Sequence, residues 1–215
     1  VLVAYDVHIK GLTMSTEAAK KLKWENRYVE GDLPWDSGDV DPTLQDEIAQ
    51  FGIAPCKALE LGCGTGTNAI WLAQQGFTVT ATDLSTTAIE MSRSKAAGEG
   101  VSIALHVGDI LVDPLPERPF HLVFDRGCFH SFHSRAERHC FARIVRECLA
   151  PTGLWLSLIG SADGPERDVG PPQRSVLDIA DAAEPYFEIL KLRSSQFAVT
   201  DNDPHRAWSC MMRRR

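Results

Sequence analysis

The run Ala58-Leu59-Glu60-Leu61-Gly62-Cys63-Gly64-Thr65-Gly66-Thr67-Asn68 passes from a short apolar stretch straight into three glycines spaced two apart. It reads as a strand over 58–61, a tight turn and the start of a helix. Glycine is needed where the backbone takes a positive φ or must come against a ligand, and three glycines in five residues point to both demands. Either Thr67 or Asn68 can cap the helix that follows, 69–75. Its free backbone N–H groups then face the turn and favour a partner rich in acceptor atoms.

Downstream of this turn, strand-like and helix-like stretches alternate. A strand over 77–82 ends at Asp83, and Ser85 caps a helix reaching about 97. A strand over 101–107 ends at Gly108-Asp109, and another over 120–124 ends at Asp125. A helix over 135–149 carries Phe141, Ile144, Val145 and Cys148 on one face, and Pro151-Thr152-Gly153 turns the chain into a strand over 154–159. Alternation at this spacing requires right-handed crossovers and a mainly parallel sheet covered on both faces. The end of the chain differs: after a helix from 175 to about 183, strands over 187–192 and 207–212 have no helix between them. They are expected as an antiparallel pair at the sheet edge.

Upstream, 15–28 reads as a helix, with Ser15 or Thr16 as cap and Ala18, Leu22, Trp24 and Tyr28 at helical spacing. A turn-rich loop over 31–38 follows, and Pro42 opens a second helix carrying Leu44, Ile48 and Phe51. Trp35, in that loop, is either an edge of the core or a lid over a bound ligand.

The 215 residues, 44% hydrophobic and 24% charged, suit one ordinary globular domain over 1–215. A net charge of −7 with scattered Lys and Arg argues against a nucleic-acid substrate. The six cysteines, at 56, 63, 128, 140, 148 and 210, form no CxxC pair and read as reduced intracellular thiols. No apolar run approaches the ~20 residues of a membrane span. The first residues lack a charged-then-apolar leader, so a soluble, cytoplasmic protein is expected.

Ligands of open α/β sheets bind beyond the carboxyl ends of the strands. Here the glycines, Asp83, Asp109 and Asp125 all fall at such ends. Asp83 stands about twenty residues beyond the glycines, the spacing at which a carboxylate accepts from the ribose hydroxyls of an adenosine-containing cofactor. A nicotinamide dinucleotide site would share that aspartate but calls for GxGxxG, whereas this chain has GxGxG preceded by Glu60.

With its helix-free final strand pair, the glycine stretch resembles the class I S-adenosylmethionine-dependent methyltransferases. Trp24-Glu25-Asn26-Arg27-Tyr28 and Gly31-Asp32-Leu33-Pro34-Trp35-Asp36, together with Phe124-Asp125-Arg126-Gly127 and Gly170-Pro171-Pro172, are similar to motifs of the thiopurine and halide/thiol methyltransferases. The glycine turn itself follows the general class I pattern. The resemblance implies a Rossmann-like seven-stranded sheet of order 3-2-1-4-5-7-6, counted from the strand at 58. It also implies an N-terminal helical lid over about 11–50 on a cofactor-binding core of about 55–215. Gly62, Gly64 and Gly66 would admit the methionine part of the cofactor, and Glu60 would orient the turn or reach the amino group. Asp83 would hold the ribose and Leu84 flank the adenine, whose amino edge would meet Asp109 and Ile110. Asp125 would stand at the mouth of the methionine site, and Trp35 would close over the cofactor. S-adenosylhomocysteine would be the product.

A base could sit just after the strand ending at Asp125, where His130 is the first candidate and His133 the second. A thiol acceptor would need no such help, whereas an alcohol would. The histidines and cysteines of 128–140 match no zinc-ligand spacing, so no metal is expected. Arg126 either attracts an anionic substrate or pairs with Asp125. The loop over 163–174, with Arg167 and Arg174, is either a solvated connection or a substrate lid. The expected activity is methyl transfer to a small molecule, a thiol or similar soft nucleophile favoured, by a monomer or homodimer with no nucleic-acid or membrane partner. An O- or N-methyltransferase of a small molecule or protein, a nicotinamide oxidoreductase and a cofactor-binding protein without transfer activity are the rivals.

Overall fold

The computed structural model describes residues 8–9, 12–13, 16–115, 118–164, 170–197 and 205–215. Ser15 and Arg167 therefore lie outside the described residues, and Thr16 is the first residue of its helix. Six helices and seven strands build the body. They are α1 (Thr16–Glu30), α2 (Pro42–Gln50), β1 (Lys57–Leu61), α3 (Thr67–Gln74), β2 (Thr78–Asp83), α4 (Thr86–Gly98) and β3 (Ala104–Val107). Then come β4 (Phe120–Arg126), α5 (Arg135–Cys148), β5 (Leu149–Gly160), α6 (Val176–Ala183), β6 (Phe187–Gln196) and β7 (Arg206–Arg214). A separate antiparallel ribbon joins His8–Ile9 to Leu12–Thr13. The seven-stranded sheet has the order β3-β2-β1-β4-β5-β7-β6, as expected. Its first five strands run parallel, and β7 inserts antiparallel between β5 and β6.

Alternation along the strands sorts the core to the two faces of this sheet. Val123 of β4, Trp155 of β5 and Met212 of β7 pack on one face with Phe141 and Val145 of α5 and Ile179 of α6. Leu122 and Phe124, Leu156 and Leu158, and Met211 point the other way, towards Leu44 of α2 and Leu72 of α3. Trp155, 1% exposed, is the hub of the first face, with its ring 5.1 Å from Phe187 and 5.8 Å from both Phe129 and Phe141. Each such aromatic pair adds roughly 0.5–1.5 kcal/mol beyond the area it buries.

Several boundaries differ from the sequence expectation, each for a pairing reason. β4 runs two residues past Phe124 because Asp125 and Arg126 pair with Ser157 and Leu158 of β5. β5 begins at Leu149, directly after α5, so that 151–153 is an irregularity within a strand and not a turn before one. The β6–β7 pairing extends from Phe187↔Arg214 to Gln196↔Arg206, lengthening both strands. Neither Thr67 nor Asn68 caps α3; the cap position is Gly66 at φ +83°, without a side-chain bond. Asn68 instead accepts the Asp41 N–H through Oδ1 at 3.0 Å.

Glu47 of α2 fastens the N-terminal helices to the β6–β7 edge. It is fully buried and accepts from Lys191 Nζ (3.0 Å), Arg193 Nε (2.8 Å) and Ser209 Oγ (3.1 Å). Burial pushes its pKa up, but the bonds from Arg193 and Lys191 outweigh that, leaving it below the usual glutamate range. Glu47→Ala strands these donors and is expected to cost on the order of 2–4 kcal/mol in urea unfolding. A loss below about 1 kcal/mol, the range of ordinary surface substitutions, contradicts this role.

Candidate active site

At the carboxyl ends of β1, β2, β3 and β4 the chain encloses a cavity of about 290 Å³. Its floor is the glycine turn. Gly62 N and Cys63 N both donate to Thr82 O, at 2.8 and 2.9 Å, fastening the turn to β2. Gly64, at φ +55°, has no room for a side chain, since a Cβ there would lie 2.8 Å from Tyr28 Oη. Gly66 serves a different purpose from the one expected. It is not among the cavity-lining residues, and a Cβ on it would lie 2.1 Å from Ser92 Oγ, so this glycine lets α3 pack against α4.

Two of the three strand-end acids, Asp83 and Asp109, meet in this cavity, together with Glu60. Asp83 accepts from Gly64 N through Oδ2 and from Ser85 N through Oδ1, both at 2.9 Å. The Leu84 N–H also serves this carboxyl, and since a carboxylate offers about four lone-pair sites, about one is left for a ligand. Asp109 accepts from Leu111 N at 2.9 Å and lies 3.8 Å from Lys20 Nζ. Glu60 is buried to 2% exposure; the Asn68 amide and the Ala69 N–H serve its carboxyl, while Oε2 has no partner among the described residues. Burial pushes its pKa up to about 8. Leu84 and Ile110 line the cavity beside Asp83 and Asp109.

Asp125 does not join them. Its strand position turns it into the core, 0% exposed, where it accepts from Phe129 N at 2.9 Å and from Trp155 Nε1 at 2.8 Å. It shapes the turn after β4 from behind and lines no part of the cavity. Arg126, expected to face a substrate or pair with Asp125, pairs with Asp41 at 2.7 Å and donates to Trp35 O at 3.1 Å.

These bonds pin a cover over the cavity. Trp35 packs edge-on against Trp24 (5.6 Å) and Tyr28 (6.1 Å), with the Arg27 guanidinium 4.3 Å from its ring centroid. α1 is anchored in turn by Glu25, which accepts from Ser85 Oγ (2.7 Å) and Thr87 Oγ1 (2.5 Å) at the start of α4. The hydrogen bond from Thr87 holds the Glu25 carboxyl below its usual range. Trp35 thus lines the cavity, and its neighbour Tyr28, also in the cavity wall, is signalled by its helical spacing from Trp24.

His130 reaches the cavity from the 3-10 turn Phe129–Ser131. Its Nδ1 accepts the Gly160 N–H at 2.8 Å. A backbone amide only donates, so Nδ1 keeps its lone pair and the neutral ring carries its hydrogen on Nε2. Burial, with Arg174 and Arg126 nearby, lowers the pKa to about 3. A ring in this state does not serve as the expected base. His133, the second candidate, is exposed and lines no part of the cavity, because its peptide is turned to accept from Arg138 at 2.7 Å. Arg174 also points away, donating to His130 O and Phe132 O at 2.7 and 3.0 Å and so fastening the 170–174 segment. Gly170, Pro171 and Pro172 of that segment do line the cavity, as do Phe197 and His205. The last two were missed: they flank a connection without local pattern, and only the fold of the β6–β7 pair brings them over the site.

A family model described as a methyltransferase domain matches residues 58–153. A probable thiol methyltransferase 2 of Arabidopsis thaliana is 28% identical over 179 residues, covering 82% of this chain and 78% of that protein. A 2-heptyl-1-hydroxyquinolin-4(1H)-one methyltransferase of Mycobacteroides abscessus is 27% identical over 177 residues, 82% of this chain and 73% of that one. Among solved structures, one described as "Conversion of a Disulfide Bond into a Thioacetal Group during Echinomycin Biosynthesis" superposes with a TM-score of 0.80 at 25% identity, covering 91% of this chain and 92% of the other.

Because Glu60 keeps its proton up to about 8 when folded but ionises near 4.5 when unfolded, the folded protein binds the extra proton between those values. Stability from this group is therefore lost as pH rises through that window. Glu60→Gln keeps an acceptor for Asn68 and Ala69 and is expected to raise Tm more at about pH 8 than at about pH 5. Equal shifts at both pH values contradict the assignment.

Proposed function

We propose that this chain, which belongs to the class I S-adenosylmethionine-dependent methyltransferases, methylates a small thiol or a comparably soft nucleophile. The enclosed cavity carries the reading: glycine turn, Asp83 and Asp109 on one side, and His130, Phe197 and the 170–172 segment on the other. The first side suits the cofactor. Asp83 holds the ribose with its remaining lone pair, Leu84 flanks the adenine, and Asp109 with Ile110 meets its amino edge. Gly62 and Gly64 admit the methionine part, and the unpartnered Oε2 of Glu60 faces its ammonium group. When bound, the cofactor supplies a methyl group on a positively charged sulfur, already a good leaving group.

The protein's own task is then to hold the acceptor in line and keep water out. The N-terminal helices, about 11–50, act as the lid on the core of about 55–215, with Trp35 as its inner surface. A cavity of about 290 Å³ suits a small acceptor, and the net charge of −7 disfavours a nucleic acid. A thiol, with a free pKa of about 8.5, ionises enough near neutrality to react without a base. The similarity to the thiol methyltransferase supports this acceptor class. Among the described residues no helix is long and apolar enough to cross a membrane. We place the enzyme in the cytoplasm as a monomer or homodimer.

A second reading, methylation of a hydroxyl on a heteroaromatic ring, draws on the hydroxyquinolone methyltransferase relative and on His205, a second imidazole in the cavity wall. The two separate in a panel of thiophenol, phenol and aniline with S-adenosylhomocysteine release as readout. Thiophenol is expected to react at least about tenfold faster in kcat/KM, a difference of about 1.4 kcal/mol in the barrier. Preferred turnover of phenol or aniline overturns the thiol reading.

A further inference from the structure

Nδ1 of His130 is committed to the Gly160 N–H at 2.8 Å, so the one hydrogen of the neutral ring sits on Nε2. Nε2 makes no hydrogen bond to any described residue, and the ring lines the cavity. Its setting is rigid. The Phe197 ring stands edge-on at 5.8 Å and 88°, and the His130 carbonyl is held by Arg174 Nη2 at 2.7 Å. Gly127 crosses directly beside Nε2, where a Cβ would lie 2.9 Å from that atom, so only glycine leaves the approach to the N–H open. Beyond it the Arg126 guanidinium, paired with Asp41, lies 5.1 Å from the Phe197 ring centroid on the same wall.

We propose that His130 is a fixed hydrogen-bond donor to the ionised sulfur of the acceptor, which binds as the thiolate, and not a base that deprotonates a bound thiol. The inference rests on the thiol reading above. An N–H cannot accept a proton, and moving the hydrogen to Nδ1 would set it against the Gly160 N–H. The acceptor therefore sheds its proton to bulk water before it binds. A lone pair of the anion then forms the bond to the methyl carbon, the bond from that carbon to the sulfonium breaks, and its electrons stay on the departing sulfur. One negative and one positive charge disappear together, and no proton moves at the site. The donor holds the anion more strongly before transfer than during it, so its removal shows in KM more than in kcat.

The test uses 4-nitrothiophenol, ionised throughout the working range, and 2-mercaptoethanol, an ordinary alkyl thiol. With wild-type enzyme, kcat/KM for the first is expected to stay flat from about pH 6 to 9, and for the second to rise about tenfold per pH unit towards the thiol's own pKa. His130→Asn keeps an acceptor near Gly160 N but removes the Nε2 donor. It is expected to raise KM for 4-nitrothiophenolate about tenfold, the worth of one charge-assisted bond, with S-adenosylhomocysteine binding by calorimetry unchanged. His130→Gln restores a donor near the Nε2 position at the expense of the Gly160 bond, and is expected to recover most of that loss. If Asn behaves as wild type while Gln is impaired, the residue is only structural and the donor role is overturned with the thiol reading intact. A rising limb for 4-nitrothiophenolate that His130→Asn abolishes identifies a base and also overturns the donor role. If wild-type enzyme methylates neither thiol, both the donor role and the thiol reading fall.

Discussion

The Asp83 carboxylate holds the site together before any ligand arrives. One oxygen accepts from Gly64 N and the other from Ser85 N, so a single side chain at the end of β2 joins the glycine turn to the start of α4. Ser85 in turn caps α4 through the Ala88 N–H and donates to Glu25 of α1. The glycine turn, the start of α4 and α1 therefore share one chain of hydrogen bonds. Burial pushes the Asp83 pKa up, and the backbone donors from Ser85 and Gly64 work against that rise.

The cover depends on a second charged group. Arg126 leaves the end of β4 and binds Asp41, which is 1% exposed and caps α2 by accepting from Thr43 N. The same guanidinium donates to the Trp35 carbonyl. Two points of the 35–41 segment are thus held to the strand that carries the acceptor side of the cavity. Buried ion pairs of this kind are costly to break singly, because the remaining charge stays uncompensated. The 35–41 segment and the end of β4 are for this reason tied together.

Much of this was legible in the chain itself. Glycine spacing, strand-end acids and the helix-free final pair pointed to a mainly parallel sheet with an antiparallel edge pair, because each reflects a local backbone demand or a connection length, and they carried the resemblance that implied the sheet order. Asp83, Asp109, Glu60, Trp35 and His130 all line the cavity as expected. What escaped reading depended on direction or on distant partners. Asp125 and Gly66 sit at the right ends of the right elements, yet alternation in β4 turns the first into the core and helix packing claims the second. The tautomer of His130 is fixed by the Gly160 amide thirty residues away, a partner no local pattern announces. Phe197 and His205 reach the cavity through the β6–β7 pair, whose position at the sheet edge is a property of the assembled fold.

The most direct test of the Asp83 assignment is calorimetry of S-adenosylhomocysteine and its 2′,3′-dideoxy analogue with wild type and Asp83→Ala, the fold of the variant being checked by circular dichroism. A hydrogen bond to a charged group corresponds to at least about tenfold in Kd. Wild type is expected to bind the analogue weaker by that factor, and Asp83→Ala to bind both ligands equally weakly. If Asp83→Ala still discriminates between them as strongly as wild type does, Asp83 does not hold the ribose and the account of the site fails.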